Sequence, residues 1–221
     1  EKIFDNLFIL NLILIVFLFL EFFSIEFPLN KIDIFHEGQK LSAPFKSFID
    51  EKLWSGSFVT TGIINENLGV KFIWNILDHQ SIGSMRYLHL IYILLFKLSL
   101  LILIYLISKN ISLNQNLRFV FYSLSALLTL YLIDYDVGSA DVFSYRDLPV
   151  ILCLIFFIKN LNNQKNINLS LILIGLLSSL TFFWSIDRAI IVNFLIIFII
   201  LILLLNNSYK SAISILVSII I

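Results

Sequence analysis

Long apolar runs separated by short polar stretches dominate the pattern of hydrophobic and polar positions along the chain. Most runs have about 17 to 23 residues, which is enough for a helix to cross about 30 Å of hydrocarbon. Seven candidates result, at residues 3–23, 85–107, 117–133, 146–158, 169–184, 189–205 and from 211 onward. The fourth is short, so a tilted or re-entrant segment is an alternative there. The pattern predicts an all-α fold, a polytopic transmembrane helical bundle with about six or seven spans.

The first run is too long for the core of a signal peptide, and no small-residue cleavage site follows it, so we expect a membrane anchor. The chain starts at Glu1 and stops inside the apolar stretch 211–221. Both ends therefore resemble cuts. We expect residues 1–221 to form a single membrane domain from the N-terminal part of a longer protein.

The amino-acid composition also indicates a membrane protein. Hydrophobic residues make up 59% of the 221 and charged residues 14%, with a mean hydropathy of +0.97. A water-soluble domain needs a larger polar share. The formal net charge is zero, which gives no reason to expect a nucleic-acid partner. The single cysteine, Cys153, lies in an apolar run and can form no internal disulfide.

Basic residues in the short connections predict the orientation, because Lys and Arg are retained on the cytoplasmic side. One set of turns holds five of them, Lys109, Arg118, Lys159, Lys165 and Lys210, and the opposite set holds two, Arg146 and Arg188. This bias puts the N-terminus in the cytoplasm and residues 24–84 outside. Five aspartates, Asp134, Asp136, Asp141, Asp147 and Asp187, also fall on the outer side, which indicates an outward-facing site built of carboxylates.

The long first loop, residues 24–84, contains aromatic and aliphatic residues throughout and little Gly or Pro. We expect a module that folds against the membrane surface. Residues 42–53 have the spacing of an amphipathic helix lying in the interface, and residues 69–77 are a candidate for a second.

Three ionisable residues just past the first span, Asp33, His36 and Glu37, are candidate catalytic groups. A carboxylate held near the bilayer surface could remove a proton from an acceptor hydroxyl. On a helix Asp33 and Glu37 would share a face, with His36 beside them, while Gly38 would permit a sharp turn. A hydrated loop start with ordinary charges is the alternative interpretation.

Two further groups of charged residues lie at the outer ends of spans. Asp134 and Asp136 could share one divalent cation in an extended turn, and a turn without metal is the alternative. Arg86, Arg146 and Arg188 each lie at an outer mouth of a span, where guanidinium could bind phosphate or snorkel to lipid headgroups. Asp187 and Arg188 could also pair with each other.

Two histidines and one tryptophan are expected to have structural roles. His79 and His89 have no companion at metal-ligand spacing, so we expect structural roles for them. Trp184 lies near a span end, where aromatic residues form an ordinary interfacial belt.

The arrangement of spans and acidic residues resembles that of the GT-C superfamily of glycosyltransferases. It consists of one span, a long outer loop that opens with an acidic residue, and a multispan bundle whose next outer turn carries Asp-x-Asp. The string from Asp33 to Gln39, with residues 81–86 ahead of the second span, is also similar to bacterial membrane proteins of this type. The likeness covers about residues 1–190 and rests on short motifs.

The resemblance implies transfer of a sugar from a polyprenyl-phosphate donor to a hydroxyl of a glycan, lipid or protein acceptor. Asp33 or Glu37 would act as the base, the arginines would bind the donor phosphate, and a divalent cation (Mg or Mn) on Asp134 and Asp136 could assist. Membrane lipids would be further partners, and the location would be the bacterial inner (cytoplasmic) membrane.

A transporter or flippase-like carrier with an outward carboxylate site is the main alternative. It predicts ionisable residues deep inside the spans. Lys97, inside the second span, is the main internal charge. A noncatalytic assembly subunit is a third possibility, which the sequence neither favours nor opposes.

Overall fold

The apolar runs form helices because only a helix satisfies its own backbone hydrogen bonds within one segment in a water-free surrounding. The computed structural model describes residues 2–25, 34–50, 62–111, 114–133, 145–161 and 169–220. Within these ranges the chain is all helical. The α-helices are α1 Lys2–Ser24, α2 Ile34–Asp50, α3 Gly69–Leu77, α4 Ile82–Asn110, α5 Gln115–Leu132, α6 Leu148–Leu161, α7 Leu169–Trp184, α8 Ile186–Leu205 and α9 Tyr209–Ile220.

Each of the seven predicted apolar runs contains a helix, and three helices are long and apolar enough to cross a bilayer. These three segments are Asn6–Ser24, Ile82–Asn110 and Ile186–Leu205. The other apolar helices are shorter: α6 has 14 residues, or about 21 Å at 1.5 Å per residue. Large apolar side chains on α1 and α8 point outward, among them Phe23 at 78% and Phe194 at 69% exposure, as expected for a surface in contact with lipid.

Two helix groups meet along α4. In the first, α1, α4 and α5 pack through Leu18, Leu101 and Ala126, and the buried Tyr122 hydroxyl donates a hydrogen bond of 2.7 Å to Asn11 Oδ1. In the second, α6, α7, α8 and α9 share one apolar core. Helix α6 joins the groups because it packs on both α4 and α7.

Short elements from the first loop cover one end of this bundle, which we call the loop end. It is the end where α1 and α7 stop and α4 and α8 start. A single π-helical turn, Ile64–Leu68, precedes α3, and α3 packs on α4 through Trp74, Met85 and Leu88. The side chain of Ser81 caps α4 by accepting a hydrogen bond from the Ser84 amide, which satisfies one of the first free N–H groups.

The structure corrects the boundaries predicted for the first loop. The amphipathic helix predicted at 42–53 spans Ile34–Asp50, and residues 51–53 lie outside the described part. The predicted turn at Gly38 is wrong, because Gly38 lies inside α2. Burial of the neighbouring Glu37 against Arg86 supplies a tertiary contact that outweighs the low helix propensity of glycine. The second predicted helix, Gly69–Leu77, is confirmed.

Candidate functional site

A buried ion pair at the loop end joins two of the predicted site residues. Arg86 donates from Nε to Glu37 Oε1 at 2.5 Å and from Nη2 to Glu37 Oε2 at 2.8 Å. The two side chains are 9% and 3% exposed. Glu37 comes from the first turn of α2 and Arg86 from the second turn of α4. The two hydrogen bonds fix the orientation of both side chains, because planar guanidinium and carboxylate groups can form two parallel hydrogen bonds.

The π-helical turn, which packs against α2, carries three buried polar side chains. Asn65, Glu66 and Asn67 are buried there, although buried polar groups are expensive unless they are satisfied. Insertions of this type within helices are frequent at functional sites. The turn packs against α2, which carries Glu37, and against α7.

Two glycines allow the close approach of this segment. A Cβ at Gly62 would overlap the carbonyl group of Trp184 at the end of α7, and one at Gly69 would overlap the hydroxyl of Tyr92 on α4. Any larger residue would push the turn away from the bundle. The sequence contains seven glycines, and these two flank the π-helical turn.

A second set of charges connects the start of α8 with the turn before α6. Arg188 pairs with Asp147 at 2.5 Å and with Asp187 at 3.0 Å, and Arg146 pairs with Asp187 at 3.7 Å. Ser185 donates from its hydroxyl to Asp187 Oδ1 at 2.5 Å. The predicted pair of Asp187 with Arg188 is therefore present. It belongs to a network that also includes Arg146, which is an arrangement the sequence did not predict.

Aromatic side chains lie between the two charged groups. The rings of His89 and Tyr145 are 5.4 Å apart, and those of Tyr92 and Trp184 are 4.8 Å apart, measured between centroids. Burial raises the pKa of Tyr145, while its hydrogen bond to Asn65 and the charge of Arg146 act in the opposite direction. The phenol is neutral at physiological pH.

A groove opens beside the buried ion pair, between α2 and the start of α4. Its volume is about 300 Å³, and it is lined by Gly38, Leu41, Ser42, Phe45, Trp74, Gln80, Ser81 and Ile82. The lining is mostly apolar with a few polar groups. That combination is typical of sites that take an amphipathic small molecule.

The structure therefore brings Glu37, Arg86, Arg146 and Arg188 to one end of the bundle. Asp33, Asp134, Asp136 and Asp141 lie outside the described residues, and so does the side chain of His36, whose backbone belongs to α2. Among the residues that are described, no group of three or more His, Cys, Asp or Glu could hold a metal. The cation on Asp134 and Asp136 stays a prediction.

Sequence reasoning missed several residues of this region. The polar segment Asn65 to Asn67 lies between apolar residues, which is the one local sign of its burial. Trp184 packs against Tyr92 within a buried cluster in addition to lying near a helix end. In the sequence Asp147 is one of five outer aspartates, and its pairing with Arg188 depends on the approach of α6 to α8.

Comparison with known protein families, with curated proteins and with solved structures finds no match for this chain.

Proposed function

We propose that this protein is a GT-C-type membrane glycosyltransferase that moves a sugar from a polyprenyl-phosphate donor to an acceptor hydroxyl. The observation that carries the proposal is the buried Glu37–Arg86 pair at the loop end. It holds a guanidinium, the preferred partner of phosphate, next to an apolar groove at a helix start. Arg146 and Arg188 lie at the same end, where each guanidinium is held by an aspartate.

The proposed topology has six or seven spans, with the N-terminus in the cytoplasm and residues 24–84 outside the bacterial inner membrane. The bias of basic residues toward one set of turns supports this orientation. The shorter helices α6, α7 and α9 would cross as tilted or locally thinned segments. The apolar groove beside α2 would receive the start of the lipid chain.

The reaction needs few protein groups. Asp33 takes the proton of the acceptor hydroxyl, the freed oxygen attacks the anomeric carbon, and the carbon–oxygen bond to phosphate breaks. The electron pair leaves with the polyprenyl phosphate, whose negative charge the arginines stabilise. Glu37 orients Arg86, because both of its carboxylate oxygens already accept hydrogen bonds from that guanidinium. Glu37 is therefore a positioning residue in this scheme, and Asp33 is the base.

Transfer by membranes that contain the full-length protein tests the proposal, with a panel of radiolabelled polyprenyl-phosphate sugars as donors. Asp33→Asn is expected to lower the transfer rate by at least about a hundredfold, since general bases contribute 10² to 10⁴. Asp134→Asn tests the second acidic site in the same way. Asp78→Asn is the matched control, because Asp78 is an exposed carboxylate near the start of α4 in the left-handed conformation that Asn also tolerates.

Full activity of Asp33→Asn at normal protein level would remove this residue from the mechanism. Absence of transfer from every donor, together with cation-dependent solute uptake by vesicles, would instead identify a carrier.

One feature favours the carrier as a second candidate. Lys97 is fully buried about halfway along α4, and its Nζ lies 3.5 Å from Glu21 Oε1 near the end of α1. Charges inside helical bundles often mark ion or substrate paths. In a carrier, Lys97→Met would abolish uptake. A transferase would keep its activity in this variant as long as the protein folds.

A further inference from the structure

Four ring-bearing side chains form a continuous cluster between the two charged groups of the loop end. His89 and Tyr92 come from α4, Tyr145 from the turn before α6, and Trp184 from the end of α7. The ring centroid of Tyr92 lies 5.8 Å from that of Tyr145 and 6.2 Å from that of His89. Tyr92 is therefore in ring contact with the other three, since Trp184 is also its neighbour.

Three polar atoms of this cluster have no hydrogen-bond partner among the described residues. His89 is 0% exposed, and within the described chain neither of its ring nitrogens has a hydrogen-bond partner, nor does Trp184 Nε1. The indole of Trp74 behaves differently, because it donates from Nε1 to the Ser81 carbonyl at 3.2 Å. A buried imidazole with two unsatisfied nitrogens is costly, so the arrangement calls for a ligand or water that supplies the missing hydrogen bonds.

We propose that this cluster binds the sugar ring of the lipid-linked donor, an inference that rests on the transferase function proposed above. The partly exposed rings of Tyr92 and Trp184 offer apolar surface for the C–H face of a pyranose or furanose. A neutral imidazole provides one donor and one acceptor, and indole provides a donor. Hydroxyl groups, which both donate and accept, match this combination.

The position of the cluster along α4 agrees with a phosphate-linked ligand. Arg86 and His89 are three residues apart and therefore share one face of the helix. A donor with its phosphate at Arg86 would place its sugar one turn further along α4, toward His89. Tyr92 and Trp184 are partly exposed, so the ring can approach from their side. Contact with His89 then requires the Tyr145 ring to shift, because it lies against the imidazole.

Direct binding to the purified full chain in nanodiscs tests this inference separately from transfer. The probes are radiolabelled farnesyl-phosphate esters of glucose, mannose and galactose, with farnesyl phosphate alone as the reference. His89→Phe keeps a ring and removes the nitrogens, and Trp184→Phe keeps stacking and removes the N–H. The matched control is His79→Phe, at an exposed histidine.

We expect at least one sugar ester to bind about tenfold or more tightly than farnesyl phosphate. His89→Phe and Trp184→Phe should each reduce this preference by about tenfold, as for the loss of a hydrogen bond to a substrate hydroxyl. The His79→Phe control should retain the preference. The inference is overturned if no ester is preferred, or if the preference is unchanged in both test variants. A loss of thermal stability alone would mean that His89 and Trp184 only pack or bind water.

Transfer measured on the same preparation separates the two proposals. If the native chain transfers sugar but the test variants bind all probes as the native chain does, the sugar site is refuted and the transferase function still stands. If the preference for a sugar ester depends on His89 but no donor supports transfer, the sugar site stands and the transferase function is refuted.

Discussion

The Glu37–Arg86 pair should be the most sensitive electrostatic contact among the described residues. Both side chains are less than a tenth exposed and share two hydrogen bonds, so water cannot replace a lost partner. Removing one member of a buried pair typically costs about 3 to 5 kcal/mol. For a chain of this size, that loss lowers Tm by roughly 6 to 20 °C. Glu37→Gln is the suitable change, because it removes the negative charge and keeps the shape.

A double-mutant cycle measures the pair directly. Thermal unfolding of Glu37→Gln, Arg86→Gln and the double variant, each in the same detergent, gives the coupling free energy. We expect the double variant to be more stable than the sum of the single effects predicts, by about 1 to 3 kcal/mol. Asp187→Asn is the control. Its carboxylate is 44% exposed, and exposed pairs are worth at most about 1 kcal/mol.

Two results would refute this reasoning. If Glu37→Gln costs no more stability than Asp187→Asn, the carboxylate is not buried as described. If the single effects simply add, Glu37 and Arg86 do not depend on each other, and the positioning role of Glu37 in the proposed reaction fails with them.

Two further contacts give predictions of stability. Burial raises the pKa of Tyr145 above its ordinary value of 10.0, so the folded state retains the phenol proton to a higher pH than the unfolded state does. The contribution of this group to the free energy of unfolding is therefore lost as the pH rises above 10. Tyr145→Phe should therefore flatten the decline of Tm at alkaline pH, and an unchanged slope would contradict this. Gly175→Leu should lower the free energy of unfolding by about 1 to 3 kcal/mol, because even a Cβ at this position would overlap Ser218 on α9. Gly38→Ala places its Cβ in open space, so thermal unfolding should show a neutral or stabilising effect. Equal effects of the two changes would contradict the close packing of α7 on α9.

Local pattern was enough to identify the helices. The length and apolarity of each run depend only on neighbouring residues, and a helix completes its hydrogen bonds within its own segment. The seven runs and the second amphipathic helix, Gly69–Leu77, could therefore be read from the printed sequence. The start of α2 could not, since Gly38 and the charges around it have the local features of a turn.

Only the tertiary structure decided which polar groups meet. Glu37 and Arg86 are 49 positions apart in the chain, and no periodicity connects them. Their pairing depends on the approach of α2 to the start of α4. Gly62 allows the segment before the π-helical turn to approach α7, and Gly69 allows the start of α3 to approach α4. The same approach gathers the aromatic cluster around His89. The sequence by itself determined that these helices form and that charges gather near their ends; which charges pair, and which nitrogens stay unsatisfied, follows from packing between distant segments.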